Sequence, residues 1–137
     1  MTMKKMIYQE NSIREVLATG DYLGFTYYIL NLGTHPTAYI KIPENHEYYK
    51  KDYDDIDLSV HGGLTFASDT LNLGKNNIIN GWFIGWDYAH YGDYLGYEMM
   101  HPQWHIYEEN KKWTTEEILE EVKKACKELS KSEVEND

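Results

Sequence analysis

Positive charge is scarce in this chain of 137 residues. It has 13 Lys and Arg against 23 Asp and Glu, a formal net charge of −10. The basic footprint that ordinary phosphate-backbone binding needs is missing, which argues against a direct nucleic-acid partner. Cysteine is nearly absent too. Cys126 is the only one, so no disulfide can form within the chain. No run of residues is long and apolar enough to span a membrane. "MTMKKMIYQE" has two lysines but no apolar segment behind them, so it does not read as a secretory signal. A cytoplasmic protein is expected. There is no Walker loop, CxxC pair, G-x-S-x-G elbow or Rossmann fingerprint, and no internal repeat. No cofactor is expected.

Aromatic residues are plentiful. The chain is 42% hydrophobic and 15% aromatic, with 13 tyrosines and 4 tryptophans. One domain, residues 1–131, with a frayed acidic tail at 132–137, suits this length and composition. Tyrosine commonly leaves its hydroxyl at a wet boundary, so some of these rings should line a pocket rim or an interface between copies of the chain.

The expected fold class is α+β: an antiparallel β-sheet with a C-terminal amphipathic helix packed on one face. The helix is the clearest element. In "TTEEILEEVKKACKELSKS" (114–132) Thr114 and Glu117 have capping-box spacing. Ile118, Leu119, Val122, Ala125, Cys126 and Leu129 form one apolar stripe at helical spacing. On that stripe Cys126 reads as a small core residue rather than a nucleophile. Residues 12–19 fit either a short helix opened by Ser12 and Glu15 or a strand. The strand is preferred, with Gly20-Asp21 as the turn into "FTYYILNL" (25–32), a β-prone run that wants an antiparallel partner. "AYIKI" (38–42) reads as a third strand. The acidic, tyrosine-rich "ENHEYYKKDYDDIDL" (44–58) reads as a loop with one helical turn at most, of lid or Ω-loop length. "SVHGGLTFAS" (59–68) reads as two short strands or one bent at Gly62-Gly63, and 68–80 as a loop. "GWFIGWDY" (81–88), apolar on both faces, reads as a central strand.

Two constellations could carry chemistry. After His61, the pair Gly62-Gly63 lets backbone approach a ligand and point amides into one concavity, with Thr65 as a further donor. The commoner use of Gly-Gly is a plain turn. Trp86 leads into Asp87, His90 and Asp93, spaced D-x-x-H-x-x-D at the end of an apolar strand, where sheet proteins build sites. A His–Asp contact there would serve a general base, or a metal with added ligands; capped turns with His as filler are the alternative. His35 reads as a turn residue. His101 and His105 have i, i+4 spacing, but Pro102 between them argues against the helix that a zinc pair needs. The acids Glu44, Glu47, Asp52, Asp54, Asp55 and Asp57 are either a solvated loop or a mimic of nucleic-acid phosphates, and their spacing is not that of a calcium loop.

His61 to Thr65 (HGGLT), together with Asp87, Ala89, His90, Gly92 and Asp93 (D-x-A-H-x-G-D), resemble motifs of a family of small proteins from phages and prophages of Gram-positive bacteria. The resemblance spans roughly residues 20 to 125, and the two motifs together are fairly specific. It implies a phage accessory protein, with a role against host defence, and brings no catalytic residue with it. Three functions are then open. A pocket of His61, Gly62, Gly63, Thr65, Trp86, Asp87, His90 and Asp93 would bind and sequester a small nucleotide-derived ligand, amides holding phosphate and rings stacking the base. The acidic surface would block a host defence nuclease, as anti-CRISPR proteins do. A small hydrolase would use His90 with Asp87 or Asp93, with or without a metal. The pocket is preferred because it uses both motifs.

Overall fold

The computed structural model describes residues 14–33, 35–88 and 113–132. His90, Asp93, Ala89, Gly92, His101, His105, both termini and most of the 99–113 connection lie outside that set. The described strands are β1 (Glu15–Tyr22), β2 (Phe25–Asn31), β3 (Pro36–Lys41), β4 (Phe66–Asn72) and β5 (Ile78–Asp87). They form one antiparallel sheet in the order β1-β2-β3-β5-β4. One helix, α1 (Thr115–Ser132), packs on it. This is the α+β arrangement that the sequence pattern predicts.

Each element has a local cause. Thr114 Oγ1 accepts from the Glu117 N–H at 3.1 Å, and Glu117 Oε1 accepts from the Thr114 N–H at 3.0 Å, a complete capping box. Beyond it, Ile118, Val122, Ala125, Cys126 and Leu129 are all fully buried, while Leu119 sits at the edge of the stripe. They meet Phe25, Ile29, Ala38, Ile40, Ile84 and Trp86 from one face of the sheet. Burying such side chains stabilises by about 2 kcal/mol each before chain entropy is counted. The other sheet face buries Leu30, Tyr39, Leu71 and Phe83. That two-sided burial explains why β5 reads as apolar on both faces.

Three local readings need correction. The first hairpin turns at Leu23-Gly24, not Gly20-Asp21. Leu23 (φ 54°) and Gly24 (φ 88°) are both left-handed, the geometry of a tight hairpin turn, and Gly20 pairs with Tyr27 inside the ladder. Leucine rarely takes that conformation, so composition points elsewhere. Second, no strand precedes Gly62-Gly63. The Gly63 N–H donates to the Val60 carbonyl at 2.9 Å, and Gly62 has φ 70°, so 60–63 is a turn. Third, much of 68–80 is a hairpin rather than a loop. β4 runs to Asn72, the turn is at 73–77, and β5 starts at Ile78. β4 is an edge strand with exposed Asp69 and Thr70, and a register shift between Ser68 and Thr70 breaks its alternation.

The segment 43–65 carries the chain from β3 across α1 to β4. It holds one short 3-10 turn, Tyr53–Asp55, capped by Asp52, and anchors itself through Ile56 and Leu58 in the core. No described helix is long and apolar enough to cross a membrane.

Candidate functional site

The residues singled out in the sequence divide between the two faces of the sheet. Successive residues of a strand point to opposite sides. Trp86 therefore faces α1, and Asp87 faces away. Trp86 is buried and its indole N–H donates to the Tyr88 hydroxyl at 3.0 Å. Asp87 lies opposite Thr37 in the β3–β5 ladder, and its Oδ2 accepts from Thr65 Oγ1 at 3.4 Å. Thr37 is buried on that side, and its hydroxyl has no hydrogen-bond partner among the described residues. His35 stands in the turn before β3, where its carbonyl accepts from the Leu32 N–H. Thr65 and Asp87 thus come together, and His61 and Trp86 are linked through Tyr88, but the two pairs do not share one wall.

On the helix side a compact network forms around Glu121. The His61 main-chain N–H donates to Glu121 Oε2 at 2.7 Å. The Tyr88 hydroxyl donates to Glu121 Oε1 and accepts from Trp86. The His61 ring stacks on Tyr88, with centroids 4.9 Å apart and planes 5° from parallel. Trp113 tilts against both rings at 5.0 Å. The amide offered to an anion is therefore that of His61, while the Gly63 N–H is used within the turn, and the anion is a glutamate of the chain's own helix. Glu121 was not singled out in the sequence. It follows Ile118 by three residues and precedes Val122 by one, on the flank of the apolar stripe, and that position is the signal that could have found it.

Beside this network is a cleft of about 650 Å³, lined by Tyr22, Trp113, Glu120, Glu121, Lys123, Lys124 and Lys127. Lys123 Nζ lies 5.5 Å from the centre of the Tyr22 ring. The lining therefore sets three ammonium groups against two carboxylates, an excess of positive charge next to aromatic faces in a chain that is acidic as a whole.

At the other end of α1, His46 is buried and uses both ring nitrogens. Nδ1 accepts from the Tyr48 N–H at 3.0 Å, so Nε2 carries the proton and donates to the Leu129 carbonyl at 2.9 Å. The ring meets Phe25 edge-on. This is a helix C-terminal clamp, and its partners lie too far apart in sequence to give a local signal. Burial pushes the Cys126 thiol up to about 11, which makes it inert in the folded chain. The acids of 44–57 are all exposed. Among the described residues, no three His, Cys, Asp or Glu side chains converge to hold a metal ion. No family model, curated protein or solved structure matches the chain.

Proposed function

We propose that the protein binds and sequesters a small nucleotide-like ligand, an anion with a flat ring, in the cleft along α1. The observation that carries this reading is the lining itself: three ammonium groups, Lys123, Lys124 and Lys127, against two carboxylates, Glu120 and Glu121, beside Trp113 and Tyr22. Ammonium groups attract phosphate, and aromatic faces stack on bases whatever their identity. The volume suits a ligand of nucleotide size. The binding residues are then those of α1 with Trp113, joined to the sequence motifs through His61 and Trp86. A phage-encoded protein that removes a nucleotide-derived immune signal is the biological role that accords with this chemistry.

The test is native mass spectrometry of the chain incubated with a host-cell small-molecule extract. A Lys124→Glu, Lys127→Glu variant is the control; both side chains are exposed, so the variant should fold. A nucleotide-like mass on the wild type that the variant loses is the expected result. No bound mass on a folded wild type would overturn the reading. It would favour instead the exposed acids of 44–57 as an inhibitory surface for a basic defence nuclease.

A further inference from the structure

Glu121 belongs to two structures at once. Its carboxylate is held by the His61 main-chain N–H and the Tyr88 hydroxyl, and the same side chain forms part of the wall of the lysine-lined cleft. Those two donors converge on one anionic group, the arrangement by which proteins hold a phosphate or carboxylate oxygen. Turn and ring fix them independently of the glutamate. The Val60–Gly63 turn is closed by its own hydrogen bond, and the Tyr88 ring is set by its stack on His61 and its bond from Trp86. Glu121 lies half-exposed on a helix surface that opens into the cleft, so its side chain has room to rotate outward.

We propose that the His61 amide and the Tyr88 hydroxyl form an anion subsite of the cleft, and that Glu121 closes this subsite from within as a stand-in for the ligand's phosphate. The inference rests on the cleft reading and adds its regulation. While Glu121 stays in place it opposes an incoming phosphate twice, by like charge and by holding the donors. Apparent affinity is lowered by the fraction of molecules in which the subsite is open. Once Glu121 swings out, phosphate takes its donors, with the base left to stack on Trp113. The subsite selects phosphorylated over unphosphorylated nucleosides, because a nucleoside without phosphate has no anionic group to replace the carboxylate that leaves.

Calorimetric titration of the wild type, Glu121→Ala and Glu121→Gln tests this, with adenosine 5′-monophosphate, inorganic phosphate and adenosine as probes. Glu121→Ala should bind the monophosphate about tenfold more tightly than the wild type, as expected when a self-occupied site is freed. Inorganic phosphate should tighten in parallel, and adenosine should not change. Tightening of the monophosphate alone would mean that the subsite reads phosphate only when a base anchors it, which also supports the proposal. A folded Glu121→Ala that binds the monophosphate no better than the wild type overturns it. Should Glu121→Ala fail to fold, Glu121→Gln serves: it keeps the shape and one acceptor but loses the charge, and unchanged affinity there is equally fatal. If the wild type binds the monophosphate, the Lys124→Glu, Lys127→Glu variant does not, and neither Glu121 variant tightens, the cleft survives and the gate falls. If no variant binds any probe, both fall.

Discussion

His46 and His61 stand near opposite ends of the segment that crosses α1, and both bring that segment against the helix. They do it differently. At His46 the ring is buried and both nitrogens are bonded, one of them to the helix carbonyl of Leu129. At His61 the bond to the helix runs through the main-chain N–H to Glu121, while the ring lies flat on Tyr88 beside Trp113. One end is fixed by a side chain that nothing else can replace. The other is fixed by a main-chain N–H that any residue but proline would supply, with its ring against Trp113, which lines the cleft. A histidine's role is decided by which of its groups the fold consumes. His46 is spent on architecture, and the His61 end keeps a carboxylate that can be exchanged.

The largest test of this contrast is His46→Ala. It leaves the Leu129 carbonyl and the Tyr48 N–H without their partner in a buried place and opens a cavity beside Phe25, at a cost of about 3 kcal/mol. Urea unfolding would show it as a lower midpoint. The contrast breaks if the midpoint moves no further than in His61→Ala.

The same end of α1 carries Cys126, which sharpens the comparison by pH. In the unfolded chain a thiol ionises near about 8.5. Folded, it does so at about 11. Below the lower value the thiol contributes no pH dependence. Between the two, the unfolded state has lost its proton and the folded state has not, so stability falls as pH rises, by about 1.4 kcal/mol per unit. Stability curves of wild type and Cys126→Ala from pH 8 to 11 should therefore diverge in slope. Parallel curves would show that the His46 end is more open to water than the geometry implies.

His61→Ala should have the smallest effect. The main-chain bond to Glu121 stays, and the ring contacts with Tyr88 and Trp113 go, worth about 1 kcal/mol. Thermal melting measures the loss, and Trp113 fluorescence should change with it. A loss as large as that of His46→Ala would make both ends architectural.

How far these ends could be read in the sequence differs for a physical reason. Thr114, Glu117 and the stripe from Ile118 to Leu129 signal by spacing along one helix, and the structure realises that spacing directly. β5 signals by an unbroken apolar run. His46 gives no local signal, because its partners include Leu129, 83 residues away, and its neighbours in sequence are polar and exposed. The motif at His61 was visible as a turn with amides to offer. What it holds was not, since Glu121 comes from the far end of the chain and looks like one more helix acid. The proposed single pocket also overlooked strand alternation: Trp86 and Asp87, adjacent in sequence, cannot both face α1.

Cys126 lies on the buried face of α1. As the only thiol, lodged between helix and sheet with no exposed surface, it can meet an alkylating reagent only when α1 lifts away. Its labelling rate in native buffer is then a stopwatch for that opening, equal to the open fraction multiplied by the rate for a free thiol when reclosing is fast. A reagent, a mass spectrometer and a series of time points would count how often the helix leaves the sheet.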